Sequence, residues 1–397
     1  MAASPVPALC ARIPLGLRRV VEIGCGEGAV GACLARRDPT SRRIATAEDP
    51  AAAARAAPHY EVVHRLPPEA GAPLPPGSAD LVILHGPMQD PVRALAAAAK
   101  LLAPDGVLLA EFPNAGHWRL VERRLRGGAE AGAPPAGALT RDGLAAALRA
   151  AGLVGLDLAA PLPDAAAAQA FAQSIATALG TDVATWLRAA GPERWILRAA
   201  RSAPAPLHLL AHVLKPIGGV NEVRMDLPLG AAATWPGVTL RLGEAPETPT
   251  LPEGEARVLV LHRRLLNAPE APRFIDHFRR RGWVVVQEFD DDPAHWPVIA
   301  QSGHFAFRGV HAVQTTTPAL AELFRGFNAE VAVFPNTVAD LPEPANFADP
   351  ARLTLFLGAL RREADIAPFI PALNTVLEEA GPRLAVEVLA DRATFEA

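Results

Sequence analysis

The chain has 397 residues, which at about 100–200 residues per domain predicts two to four domains with ample length for proper cores. Its 38 basic and 42 acidic residues leave a net charge of −4, and only Lys100 and Lys215 are lysines, so neither a phosphate-gripping nucleic-acid binder nor a Lys-rich tail is expected. The 40 prolines and 31 glycines stay below the share of a disordered chain.

Short apolar runs bounded by Gly, Pro or Asp alternate with Ala- and Leu-rich helical stretches, the pattern of parallel sheets with crossover helices. The first cycle is a strand over 19–23, a glycine turn and a helix over 30–37. Strands follow at 43–47, 60–64 and 79–84, then a helix from about 91 to 102 and a strand over 106–112. Residues 127–138 are a loop by composition, Thr140 caps a new helix, and 195–198 closes the series before an Ala-Pro linker over 199–206. A second series places strands at 257–262, 283–289, 311–314 and 332–334, with helices at 271–281 and 318–324. After another linker around 340–350, a third series has strands at 353–358 and 384–389 around a helix over 367–379. Two strands cannot bury both faces of a sheet, so 350–397 reads as the start of an incomplete lobe.

Cys10, Cys25 and Cys33 are too few and too clustered for a disulfide framework and fit a reducing compartment. No run approaches about 18 apolar residues, and the N-terminus lacks the basic start of a secretory signal, so a cytoplasmic protein without a membrane span is expected.

Val20 to Gly28, VVEIGCGEG, sets three glycines at alternate positions between a strand and a helix. Glycine admits positive φ and lets a ligand approach the backbone, and the helix start beyond offers free N–H groups. With ADLVILHG at the fourth strand, DPVRALAAAAKLLAPDGVLLAEFPN at the fifth and LTRDGLAAALRAAGL after it, residues 1–200 resemble the class I S-adenosylmethionine-dependent methyltransferases. The resemblance implies a Rossmann-like domain with S-adenosylmethionine as cofactor. It assigns Glu22, Gly24, Cys25, Gly26 and Gly28 to the turn beside the methionine part, and His85 and Gly86 to the same cleft. The acid that the family carries at the end of the second strand to hold the cofactor is replaced by Ala47, so the resemblance assigns Glu48, one residue later, to cofactor binding, and His64-Arg65-Leu66 stands where a further acid is usual. Where relatives often carry Leu-Glu-His near the fourth strand, this chain has Gly86-Pro87-Met88.

Residues 257–397 resemble part of a two-lobed GT-B glycosyltransferase. VVVQEFDDDPAHWPVI and FRGVHAVQTTTPALAELFRGFNAEVAVFPNTV are similar to the end of its acceptor-side lobe, and LTLFLGALRREADIAPFIPALNTVL to the opening of its nucleotide-sugar lobe. That implies an α/β acceptor-type lobe over 207–342 and a partial donor lobe over 350–397, in which Gly358, Arg361 and Arg362 would face a sugar nucleotide.

The cysteines read as small buried apolar residues, with no further His or Cys at ligand spacing. Asp290, Asp291 and Asp292 are consecutive on an extended chain and point in different directions, so no metal centre is expected. His85 and His117 are either bases for an acceptor or polar rim residues, and no catalytic residue is assigned. Trp283 and Trp296 read as core or cleft wall, and the Thr315 to Thr317 run as a helix cap.

The function expected is methyl transfer to a small-molecule or saccharide acceptor in cell-surface polysaccharide biosynthesis, with a sugar nucleotide as a second ligand. The alternatives are a glycosyltransferase with a non-catalytic N-terminal domain, and a non-catalytic interaction protein.

Overall fold

The computed structural model describes residues 6–127, 133–162, 164–214, 220–337, 352–358 and 366–388. The chain divides into two compact units between residues 341 and 342, and the first unit contains two sheets.

The first sheet has seven strands: β1 (Arg19–Ile23), β2 (Arg42–Thr46), β3 (Val62–His64), β4 (Ala79–Leu84), β5 (Leu102–Pro113), β6 (Val154–Ala159) and β7 (Arg194–Ala200). Their order is β3-β2-β1-β4-β5-β7-β6. The helices before and between them include α1 (Val6–Cys10), α2 (Ala29–Arg37), α3 (Pro50–Ala56), α4 (Pro91–Leu101), α5 (Trp118–Leu125), α6 (Arg141–Ala150), α7 (Ala165–Leu179) and α8 (Val183–Ala190). The central strands read as unbroken apolar runs because both faces are covered. Val21, Val82, Leu84, Leu108 and Phe112 pack on one face with Leu95 and Leu144 of the helices. Val20, Leu81, Ile83 and Leu109 pack on the other with Leu9, Val30 and Leu34.

The sheet is not wholly parallel. β7 inserts antiparallel between β5 and β6, pairing Phe112 with Trp195 and Leu158 with Leu197. The expected linker also starts later, because Ala199 and Ala200 complete β7 and are buried. Trp195 is fully buried and its indole donates to the Leu139 carbonyl at 2.9 Å, anchoring the chain at the start of α6.

The second sheet contains β8 (Leu207–His212), β9 (Val238–Gly243), β10 (Ala256–His262), β11 (Val284–Glu288), β12 (Ala312–Thr315) and β13 (Val331–Val333). All neighbours are parallel, in the order β13-β12-β11-β10-β8-β9. Its main core is rich in aromatic residues: Phe278, Trp283, Phe289, Phe307 and Phe324 pack with Leu210, Leu259 and Val285. The Trp235 indole donates to the Leu15 carbonyl at 3.0 Å, tying the segment before β9 to that before β1.

The second unit pairs β14 (Leu353–Leu357) with β15 (Leu384–Val388) in parallel around the helix Ile370–Ala380. Leu353, Phe356 and Phe369 are each more than 60% exposed, as a two-stranded sheet with one helix dictates. Among the described residues no helix is long and apolar enough to cross a membrane.

Candidate active site

The strand order of the first sheet reverses between β1 and β4, and their carboxyl ends therefore border the crevice where a parallel sheet receives ligands. β1 delivers the chain into the Gly24–Gly28 turn, and α2 starts immediately afterwards at Ala29. Gly24 has φ +80°, and a Cβ there would stand 2.1 Å from the His85 carbonyl oxygen, so β1 and β4 approach too closely for any side chain. Gly26 has φ +54°, but a Cβ there meets nothing within 4 Å. The turn is thus closed at its root and open at its tip. Gly24 and Cys25 donate their amides to the Thr46 carbonyl at 3.1 and 2.9 Å, which docks the turn against the end of β2.

Behind the turn lies a buried polar cluster. Glu22 is fully buried and accepts from the Tyr60 hydroxyl at 2.6 Å on one oxygen. Its other oxygen is 2.7 Å from His85 Nε2. Burial works against the charged imidazole, but the hydrogen bond and charge of Glu22, helped by Glu111, outweigh it and hold His85 above its ordinary value. The contact with Glu22 thus favours the protonated imidazole and engages His85 Nε2, which makes His85 a partner of Glu22 rather than a free base. Burial, followed by the Glu22 charge, pushes the Tyr60 phenol far up, so it remains a donor. Burial and Glu22 likewise push Cys25 up to about 12, which makes it a neutral thiol among Ala45, Ala47, Ala53 and Ala56 rather than a nucleophile.

His117, just beyond β5, has the opposite character. Burial holds its pKa below the usual value, and its Nε2 is buried without a partner among the described residues. It is a neutral imidazole able to accept a proton.

The structure brings Glu22, Gly24, His85 and Gly86 together at the β1–β4 junction; a Cβ on Gly86 would lie 3.0 Å from the Gly24 carbonyl oxygen. Gly26 and Gly28 follow in the same turn, with Cys25 packed beneath it. Ala47 is buried and Glu48 exposed at the end of β2, while Asp49 is spent capping α3 through the amides of Ala51 and Ala52. Gly358 is exposed after β14, and Arg361 and Arg362 lie outside the described residues. Sequence reasoning passed over Tyr60 and Glu111. Tyr60 is the single tyrosine of the chain, and Glu111 is a buried acid in the apolar second half of β5, where it accepts from Arg194.

Residues 21–110 match the family model for a methyltransferase domain. This stretch thus carries a methyltransferase domain, its sheet and helices form a Rossmann-like α/β fold, and its cofactor is S-adenosylmethionine. A search of the curated proteins returns no match. Solved structures similar to the chain include a possible histamine N-methyltransferase from Thermotoga maritima, 17% identical, with TM-score 0.35 over 50% of this chain and 88% of its own. An S-adenosylmethionine-dependent methyltransferase from Mesorhizobium loti is 17% identical, with TM-score 0.34 over 50% and 98%. A structure from Bacillus halodurans described as a methyltransferase is 14% identical, with TM-score 0.35 over 50% and 99%.

The turn fits this cofactor by its own geometry. The tip is open at Gly26, and the amides of Gly26 and Glu27 have no backbone acceptor among the described residues. The uncapped start of α2 adds further N–H groups behind them. Glu22 is closed to solvent with both oxygens engaged, so it shapes the wall through His85 and Tyr60.

Proposed function

We propose that the protein transfers a methyl group from S-adenosylmethionine to an oxygen of a saccharide or glycoconjugate acceptor in cell-surface polysaccharide biosynthesis. The Gly24–Gly28 turn carries this reading: it is open at its tip and lies within the residues that match the methyltransferase-domain model. The bound cofactor supplies an electrophilic methyl group on a sulfonium, so the chain contributes chiefly binding and alignment. Gly24 to Gly28 seat the methionine end, and the Glu22–His85–Tyr60 cluster holds β1, β4 and the segment before β3 in register behind it.

The saccharide class is supported by the second sheet. Its six parallel strands reverse order between β8 and β10, and its sequence resembles a GT-B acceptor lobe. The same sheet favours a second reading, a glycosyltransferase in which the N-terminal domain positions substrate.

Calorimetric titration with S-adenosylhomocysteine tests the proposal without knowledge of the acceptor. Micromolar binding, about −8 kcal/mol, is expected for the parent chain, and none for Gly26→Asp, whose side chain fills the turn. Absence of binding to the folded parent, or equal binding by both chains, refutes the assignment. Release of nucleoside diphosphate from a sugar nucleotide would instead establish the second reading.

A further inference from the structure

The carboxyl edge of the second sheet holds chemistry that methyl transfer does not use. β10 ends at His262 and β11 at Glu288, and these two residues are direct partners in the parallel register, so their side chains share one face. Both are fully buried. His262 Nε2 stands 3.4 Å from Glu288 Oε2, yet neither atom has a hydrogen-bond partner among the described residues, nor does His262 Nδ1. A buried imidazole nitrogen and a buried carboxylate oxygen facing each other unbonded leave two desolvated groups uncompensated.

Asp290 turns toward the same point. One donor atom each from His262, Glu288 and Asp290 lie within 4.8 Å of one another. A guanidinium holds each carboxylate: Arg224 Nε donates to Glu288 Oε1 at 2.7 Å, opposite the Oε2 that faces His262, and Arg263 Nε donates to Asp290 Oδ1. This is how outer partners orient carboxylates that ligate a metal. The remaining two aspartates of the run do other work: Asp291 accepts from Arg263 at 2.9 Å, and Asp292 caps the turn at Ala294. The run therefore diverges as consecutive residues must, and the three-residue cluster arises from strand register.

We infer that His262, Glu288 and Asp290 form a site for one transition-metal dication of the zinc type. The 3.4 Å between His262 Nε2 and Glu288 Oε2 is about the edge of a tetrahedron around an ion with bonds of about 2.0–2.1 Å. An imidazole in the set selects against magnesium and calcium, which prefer cages of oxygen alone. Three protein donors leave a coordination position open. The site lies at the carboxyl ends of β10 and β11, beside the reversal between β8 and β10, where an open parallel sheet receives ligands.

The test uses the full chain, stripped with chelator and titrated with Zn²⁺ and Mg²⁺. One equivalent of Zn²⁺ per chain is expected at micromolar affinity or better, with Mg²⁺ at least 100-fold weaker. Asp290→Asn and His262→Gln should each weaken Zn²⁺ at least 10-fold, whereas a Cys10→Ser/Cys33→Ser chain should bind as the parent does. Substituted Co²⁺ should show ligand-field bands without a thiolate charge-transfer band, a readout on the unmutated chain that does not depend on either variant folding. Absence of stoichiometric Zn²⁺ binding, affinity unchanged in Asp290→Asn, or a thiolate band from Co²⁺ would overturn the site. The cluster would then be an ion-pair network closed by a proton.

Discussion

Glu22 and His85, 63 residues apart, meet at 2.7 Å beneath the glycine turn, Glu22 fully enclosed and His85 largely buried. One lies at the penultimate position of β1 and the other just past β4, so their contact clamps together the two strands that border the ligand crevice.

That clamp makes stability depend on pH in a defined direction. His85 is held above its unfolded value of about 6.5, so the folded state binds the extra proton more tightly. Its contribution is fully present below the unfolded value and is lost as pH rises through the folded value. Urea unfolding from pH 6 upward should show His85→Gln losing its deficit relative to the parent across that window. A deficit independent of pH would mean that His85 is not protonated in the fold.

Tyr60 supplies the second bond to Glu22 at 2.6 Å, and its ring leaves no room for a side chain at Gly31, where a Cβ would lie 2.3 Å away. Tyr60→Phe keeps the ring and removes the hydroxyl alone. The change should cost about 1.5–3 kcal/mol, the range for hydrogen bonds to charged groups, because one carboxylate oxygen is left buried and unpaired. Equilibrium denaturation measures it. A loss below about 0.5 kcal/mol would show that water replaces the hydroxyl, and that the cluster is wetter than its burial indicates.

The root and the tip of the glycine turn should respond differently to the same substitution. Gly24→Ala combines a left-handed backbone, about 1–3 kcal/mol, with overlap against the His85 carbonyl, another 1–3 kcal/mol. Gly26→Ala faces open space and carries only the backbone cost of about 1–2 kcal/mol. Gly24→Ala should therefore lower the denaturation midpoint markedly, while Gly26→Ala stays folded and loses affinity for S-adenosylhomocysteine. Equal destabilisation of both would contradict the close approach of β1 and β4.

The turn was legible in the sequence because its signal is local: three glycines, a preceding apolar run and a following helix within about a dozen residues. The inner strands were legible for a related reason, since strands covered on both faces appear as apolar runs such as Leu81 to Leu84. β6 gave no such signal, because Val154–Ala159 is half-exposed and mixes Gly and Asp with apolar residues. α7 is so rich in alanine that no polar face sets a helical period. β9 lies at the edge of its sheet and keeps polar Thr239 and Arg241 between apolar neighbours. The partners of Glu22 come from 38 and 63 residues away, and the His262–Glu288 pairing exists only once β10 and β11 are in register. Spacing along the chain carries no information about either.

Arg224 offers a separate check on the second sheet. Its guanidinium is 4% exposed and donates to Glu288 Oε1 at 2.7 Å, to the Phe334 carbonyl at 2.8 Å and to Asn336 Oδ1 at 3.0 Å. One side chain thus joins the π-helical turn Glu222–Asp226, the end of β11 and the segment beyond β13. Arg224→Met preserves much of the volume but strands a buried carboxylate, and removing one member of such a pair costs about 3–5 kcal/mol. Glu288 has a partial escape: burial raises its carboxyl to about 7 even with Arg224 beside it, so it can protonate when the guanidinium is gone. The loss in Arg224→Met should therefore shrink as pH falls from 8 to 6, while the parent changes less. Combining Arg224→Met with Glu288→Leu removes both charges and should recover part of the loss, giving a favourable coupling in a double-mutant cycle. Additive losses at every pH would mean that Arg224 stabilises the fold through Phe334 and Asn336 alone.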